Sequence, residues 1–168
     1  GLAFPGLFQN LIHGQNGCLS AALLGLGLLR VDRSPLQAGL LFGTLVYKPH
    51  LTPIVVVALL AGRRWRALAA TGLTALTLCL LSLAVFGVET WQAFVDNIPF
   101  ANAVLYEGGV AWEKMPTTSA ALLLAGAPPL AAKAGQLIVS VCAAAAVGWL
   151  WWRDAPAPLR FAGVTAGA

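Results

Sequence analysis

Residues 67–86, ALAATGLTALTLCLLSLAVF, decide the fold class of this chain. The run contains no charged side chain. At about 1.5 Å per residue, a helix of this length reaches about 30 Å, which is the thickness of the hydrocarbon core of a bilayer. The run also lacks the alternation of polar and apolar residues that is typical of strands in membrane barrels. It therefore predicts a helix that crosses a membrane.

The composition of the whole chain agrees with this prediction. Of its 168 residues, 59% are hydrophobic and 10% are charged, and the mean hydropathy is +0.81. Soluble domains carry about 25% charged residues. We therefore expect an all-α, polytopic transmembrane protein in the cell membrane, with the lipid bilayer as its main partner.

Four further apolar segments accompany this run. The five segments lie at 16–29, 35–47, 51–62, 67–86 and 129–152. The first three reach only about 18 to 21 Å as helices, which is too short to cross a bilayer unaided. Short helices of this kind leave a cavity or pair with loops. Gly39 and Gly43, four residues apart in the second segment, predict a close helix contact.

The connection at 87–128 is too long for a simple turn. Apolar residues from Trp91 to Ile98 recur at helical spacing and predict a short interfacial helix that ends near Pro99. A second short helix is predicted at 117–125, where Gly126 would stop it. We expect residues 1–168 to be one fragment of a membrane domain, with this connection as an extracytoplasmic loop region.

The net charge of +4 would suit a nucleic acid partner, but the position of the basic residues argues against one. They stand in short clusters at the ends of apolar segments, as topology signals do. The clusters are Arg30 with Arg33, Arg63 with Arg64 and Arg66, and Arg153. All three fit one side of the membrane, which we assign to the cytoplasm, and we expect no nucleic acid partner. The tryptophans beside them are predicted to form an interfacial belt; they are Trp65, Trp149, Trp151 and Trp152.

Polar residues gather on the opposite, extracytoplasmic face. With Asn16 as N-cap, the first helix would direct its free N–H groups and positive dipole end there. The third segment would begin on the same face with Pro49 in a first helical position. Two helix N-termini with neighbouring cations can hold a phosphate. The residues predicted to bind it are Lys48, Gln15, Asn16, His13 and His50.

A plainer interpretation of the same residues stays open. Gln15 and Asn16 would then only cap a helix, and Lys48 would extend to the interface from the negative end of the second helix. In the loop, Trp112, Glu113 and Lys114 combine an aromatic face with a carboxylate and an ammonium, which suits contact with a sugar or acceptor. The alternative there is an exposed salt bridge. No nucleotide-binding or metal-binding motif is found, so we predict no metal and no cofactor.

Three stretches resemble glycosyltransferase family 87, the polyprenyl-phosphate-mannose-dependent membrane mannosyltransferases of bacteria. They are HGQNGCLSAALLGLGL at 13–28, DRSPLQAGLLFGTLVYKPHLTPIVVVALLAGRRWRAL at 32–68, and GVAWEKMP at 109–116. The resemblance implies a type C glycosyltransferase fold with many membrane helices, an extracytoplasmic site and a lipid-linked phosphosugar donor. It also implies a catalytic aspartate in the first outer loop of the whole protein, outside this chain. The chain begins with Gly1, so we expect a C-terminal fragment that is inactive alone.

The resulting expectation is a hexosyltransferase that moves mannose from a polyprenyl phosphate to a lipid or glycan acceptor. Two other classes fit some of the same features. A secondary transporter of an anionic substrate also uses interrupted helices whose N-termini meet at a polar site. A non-catalytic membrane scaffold would have no need of Lys48.

Overall fold

The computed structural model describes residues 8, 10, 12, 14–106 and 109–167. These residues form helices and connecting turns, without a strand. The helices are α1 (Gly17–Arg30), α2 (Pro35–Thr44), α3 (Thr52–Ala61), α4 (Trp65–Asp96), α5 (Ile98–Tyr106), α6 (Thr118–Leu124), α7 (Pro129–Trp152) and α8 (Ala157–Gly167). Short 3-10 turns follow α2 at Leu45–Tyr47 and precede α6 at Trp112–Lys114. The prediction of an all-α chain is confirmed.

Two helical stretches, Trp65–Tyr106 and Pro129–Trp152, are long and apolar enough to cross a membrane. In the most apolar 18 residues of each stretch, only 6% and 11% of the residues are buried within the protein. Such extensive apolar exposure would be unfavourable in water and is suited to lipid. The five predicted apolar segments all appear as helices, with ends that differ from the predictions by no more than a few residues except in α4.

Helix α4 consists of two helical stretches that meet at a kink at Gly87, directly after the predicted end at residue 86. That glycine has φ 77°, a left-handed conformation that costs glycine little and kinks the helix. The predicted end of a helix near Pro99 is confirmed to within three residues, since α4 ends at Asp96. A further helix, α5, then begins at Ile98 and has Pro99 in its first turn. Proline is tolerated there because the first N–H groups of a helix have no helical partner.

By contacts between residues, the chain forms two compact units. The first unit comprises the described residues within Gly1–Cys79 and Val147–Ala168, and the second comprises those within Leu80–Ala146. Each is described below by itself. That residues 1–168 act as one membrane domain stays a prediction.

In the first unit, α1 and α2 pack against each other, and α2 also lies against the start of α4. A methyl group added at Gly39 would meet the Ala67 carbonyl oxygen at 2.6 Å, and one added at Gly43 would meet the Thr71 carbonyl oxygen at 2.6 Å. Only glycine therefore allows the backbones of α2 and α4 to approach this closely. The predicted contact through the glycine pair is confirmed, and its partner is α4.

Four charged residues join the turns at one end of the first unit. The Arg160 guanidinium is 2.8 Å from Asp32, and Arg64 is 2.8 Å from Asp32 and 3.1 Å from Asp154. The turns after α1, α3 and α7 therefore lie together, and α8 contributes Arg160. These are the turns that carry the predicted arginine clusters. Which side of a membrane this end faces stays a prediction.

One of the predicted belt tryptophans lies in the core. Trp151 is 1% exposed, donates its indole N–H to the Arg160 carbonyl at 3.3 Å, and stacks under the Arg160 guanidinium at 5.0 Å. Its assignment to the belt is therefore wrong, because it fills the space between α7 and α8. The remaining three belt tryptophans are exposed.

The second unit contains the predicted helix after the loop. Thr117 caps α6 by accepting the Ala120 N–H at 3.2 Å, and Gly126 ends it with φ 83°. Gln136 of α7 then accepts the Ser119 N–H at 3.1 Å and so fixes α6 on α7.

The glycine contact predicts a stability difference between two Gly→Ala variants. Gly39→Ala should lower the free energy of unfolding by about 2 kcal/mol, because the added methyl overlaps the backbone of α4. Gly72→Ala, where nothing lies within 4 Å, should leave it unchanged or raise it by about 0.5 kcal/mol. Thermal unfolding of both variants in detergent, followed by circular dichroism, measures the difference. Equal stabilities would contradict the proposed contact.

Candidate functional site

The N-terminus of α1 is capped by a residue other than the predicted one. Asn16 occupies the N-cap position, but its side chain makes no capping hydrogen bond, and its backbone (φ −95°, ψ 27°) is not the extended form that capping favours. Asn10 acts instead, since its Oδ1 accepts the Gly17 N–H at 2.9 Å. Its Nδ2 also donates to the Cys18 sulfur at 3.1 Å. A partner seven residues upstream matches no local capping pattern, so the sequence could not reveal it.

This cap leaves the predicted ligands Gln15 and Asn16 with exposed side chains. The backbone carbonyl of Asn16 accepts the Ser20 N–H at 3.1 Å and the Ser20 hydroxyl at 3.2 Å, as in an ordinary first turn. Neither side chain is therefore occupied by capping. His13, also predicted to bind phosphate, lies outside the described residues.

The turn between α2 and α3 carries Lys48 and His50. The Lys48 N–H donates to Leu45 at 2.8 Å, and the Leu51 N–H donates to the Lys48 carbonyl at 3.0 Å. The lysine is half-buried and His50 is exposed. The prediction that Pro49 begins the third helix is wrong: α3 begins at Thr52, with Pro53 in its first turn.

A hydrogen bond joins this turn to α1. The Ser20 and Tyr47 hydroxyl oxygens are 2.9 Å apart, and Tyr47 directly precedes Lys48. The first turn of α1 and the Lys48 turn therefore lie side by side, and we call them together the polar end of the first unit. Since α1 has 14 residues and a helix rises about 1.5 Å per residue, about 21 Å separates this end from the arginine turns.

The charge of Lys48 is a distinctive feature of the polar end. Among the described residues, the ion pairs all lie at the arginine end, and none includes Lys48. Nearby, the Thr52 hydroxyl is buried and has no hydrogen-bond partner among those residues. An ammonium group with neighbouring amides and hydroxyls can attract an anion and donate hydrogen bonds to it.

The second predicted group lies in the second unit, on the 3-10 turn before α6. The Trp112 indole donates its N–H to the Leu105 carbonyl at 2.7 Å, which anchors the ring to the end of α5. Glu113 and Lys114 are exposed, and within the described residues no ion pair joins them. Both side chains therefore remain available for a ligand.

One cation of the second unit was not identified from the sequence. Lys133 stands 4.4 Å from the centre of the Tyr106 ring, near the start of α7. It was missed because it is a single charge inside an apolar segment of 24 residues. For metal binding, the described His, Cys, Asp and Glu side chains nowhere gather in groups of three.

These features define an integral membrane protein of the helical class, with an arginine end joined by ion pairs and a polar end that bears one lysine. The model of glycosyltransferase family 87 matches residues 1–168. The chain therefore belongs to glycosyltransferase family 87, which makes it a membrane glycosyltransferase and confirms the resemblance found in the sequence. No curated protein and no solved structure matches the chain.

Two asparagine variants distinguish capping from other roles at the polar end. Asn10→Ala should lower the free energy of unfolding by about 1 kcal/mol, because the Gly17 N–H loses its acceptor. Asn16→Ala should change it by less than about 0.3 kcal/mol, since its side chain caps nothing. Thermal unfolding in detergent compares them. A larger loss for Asn16→Ala would show that Asn16 is the cap.

Proposed function

We propose that this chain forms part of a hexosyltransferase that moves mannose from a polyprenyl phosphate donor to a lipid or glycan acceptor. The enzyme spans the cell membrane several times and acts on its extracytoplasmic side. Membership of glycosyltransferase family 87 supports the reaction class. The hydrogen bond between Ser20 and Tyr47 carries the assignment of the site, because it joins the start of α1 to the Lys48 turn.

Lys48 is the principal ligand of the donor phosphate in this proposal. Its ammonium has no ion-pair partner among the described residues, so an incoming phosphate would not have to displace a carboxylate. Gln15 and Asn16 donate hydrogen bonds from their exposed amides, and His50 adds a ring N–H. His13 completes the predicted set.

The chemical role of these groups follows from the bond that breaks. The acceptor hydroxyl gives its proton to a base and its oxygen attacks the anomeric carbon of the sugar. The bond from that carbon to the phosphate oxygen breaks, and polyprenyl phosphate leaves with an additional negative charge. Groups that stabilise the developing charge more than the ground state lower the barrier. The base is proposed to lie outside this chain, so the chain alone would not transfer sugar.

Trp112, Glu113 and Lys114 are proposed to contact the sugar or the acceptor. An indole whose N–H is already bound to Leu105 presents its ring as a fixed apolar face. The exposed carboxylate of Glu113 can accept hydrogen bonds from sugar hydroxyls, and the Lys114 ammonium can donate them. No metal or cofactor enters the proposed reaction.

One observation favours a second candidate, a transporter of an anionic substrate. The helical path from α2 to α3 is interrupted by the 3-10 turn and by residues 48–51, as in helices that bind substrates in transporters. Transport of a labelled anion by liposomes that contain the protein, without sugar transfer, would favour this candidate. A scaffold would show neither activity.

The decisive experiment measures sugar transfer by the full-length protein in membranes, with labelled polyprenyl-phosphate mannose as donor. Lys48→Ala should lower kcat about 100-fold, because the leaving phosphate loses its cation. Lys48→Arg should retain more of the activity. Arg33→Gln, which removes an exposed charge at the other end, is the control and should act like the wild type. Full activity in Lys48→Ala would refute the phosphate role, and no transfer by the wild type would refute the proposed reaction.

A second set of variants tests the loop. Trp112→Ala should raise KM for donor or acceptor about tenfold with a smaller effect on kcat, because it removes a binding surface distant from the breaking bond. Trp112→Phe keeps an aromatic face and should recover most of the binding. Trp65→Ala replaces an exposed indole in the first unit and serves as the control. An unchanged KM in Trp112→Ala would contradict the proposed contact.

A further inference from the structure

The arginine end of the first unit contains a cavity of about 350 Å³. It lies between the turn after α3 and the turn after α7. Three arginines line it, Arg63, Arg64 and Arg153, with Asp154 and Trp152 beside them. This volume is in the range of small-molecule sites. The donor site proposed above uses the polar end and none of these residues.

Both turns have the same backbone form. After α3, the Arg63 and Arg64 N–H groups donate to Leu60 and Leu59 at 3.1 and 2.8 Å, which is the Schellman pattern of a helix C-terminus. After α7, the Asp154 and Ala155 N–H groups repeat it at 3.2 and 3.0 Å. The two helices therefore end in matching turns that face one cavity.

The left-handed residue of each turn is charged where glycine is usual. Arg63 has φ 53° and Asp154 has φ 49°. A side chain in this conformation costs about 1 kcal/mol relative to glycine. The cost falls on two of the four charged residues that line the cavity. This suggests that the side chains serve a purpose other than forming the turns.

The charges around the cavity do not balance. Asp154 lies 3.1 Å from Arg64 and 3.3 Å from Arg160, and Asp32 also pairs with these two arginines. Among the described residues, Arg63 and Arg153 have no carboxylate partner. The Nε of Arg64 is buried without a hydrogen-bond partner there. The cavity is therefore an electropositive space with donors still available.

The surroundings are those of a membrane interface. Trp152 is 61% exposed, and the Arg153 guanidinium lies 5.8 Å from the ring centre of Trp149, which is also exposed. Exposed tryptophans beside arginines at the end of a membrane-length helix are typical of the headgroup level. A lipid whose phosphate group bound here would therefore have its acyl chains beside the apolar surface of α7.

We propose that this cavity binds the phosphate of an anionic phospholipid, such as phosphatidylglycerol. Guanidinium groups suit this ligand because they donate paired hydrogen bonds to phosphate oxygens. Arg63 and Arg153 supply the charge that the lipid neutralises. A lipid bound in this way would hold the ends of α3 and α7 together at the bilayer surface.

The test titrates the full-length protein in detergent with phosphatidylglycerol or phosphatidylcholine and counts bound lipids by native mass spectrometry. Wild type should bind phosphatidylglycerol about tenfold more tightly than phosphatidylcholine. Arg63→Gly should abolish most of this preference, although glycine suits the left-handed turn and should keep or raise the unfolding temperature. Arg63→Lys should retain part of it. Arg33→Gln removes an exposed arginine that does not line the cavity and should bind as wild type does.

Three results would overturn the proposal. The first is an unchanged lipid preference in Arg63→Gly and Arg153→Gln. The second is an equal loss in Arg33→Gln, which would indicate attraction by surface charge alone. The third is displacement of the lipid by an equal concentration of inorganic phosphate, which would indicate a site for the free anion. Sugar transfer by the Lys48 variants is measured separately, so failure here leaves the proposed reaction standing.

Discussion

The ion pair between Arg160 and Asp32 is the constraint on which the first unit depends. The Arg160 side chain is 7% exposed, and a guanidinium buried so deeply is stable only if it is paired. Its partner lies 128 residues away in sequence, in the turn between α1 and α2. The pair therefore fastens α8 to the first helical hairpin. Arg64 and Asp154 extend the contact to the turns after α3 and α7, so that one end of the unit is held by charge. About 21 Å away, at the polar end, a hydrogen bond between the Ser20 and Tyr47 hydroxyl groups joins α1 to the Lys48 turn.

Much of the helical architecture could be predicted because hydrophobic runs and their breakers act locally. Proline at 35 and 129 begins α2 and α7, and Gly126 ends α6, each through the backbone of its own residue. A close helix contact at Gly39 and Gly43 could also be predicted, since small residues permit one, although its partner α4 could not. The rest depends on partners distant in sequence. Trp151 is in the core because α8 covers it. The local sequence, in which one leucine separates Trp149 from Trp151, does not show which of the two is buried.

In the candidate site, too, some features could be predicted from neighbouring residues and others depend on residues distant in sequence. Lys48 could be identified from its place in a polar turn between short helices, and Asn16 from its place before α1. The capping role assigned to Asn16 belongs to Asn10, because a side chain seven residues upstream happens to reach the Gly17 N–H. Similarly, Pro53 and not Pro49 enters the first turn of α3, since the hydrogen bond from Leu51 to Lys48 closes a turn first. As a consequence, the Asn16 side chain is exposed and takes no part in the cap.

The two ends of the first unit differ in how their positive charge is used, and this difference bears on function. At the arginine end, Arg160 and Arg64 share two carboxylates, so most of their charge stabilises the protein itself. At the polar end, Lys48 has no carboxylate paired to it in the described part of the chain. A cation that is already neutralised gains little from a phosphate, whereas one that is not gains the full interaction. Arg63 and Arg153 also lack a carboxylate partner among the described residues, and we propose that they bind a lipid phosphate. In the proposed sugar transfer, charge would develop on the leaving phosphate, and the half-buried Lys48 is the group that we propose to stabilise it.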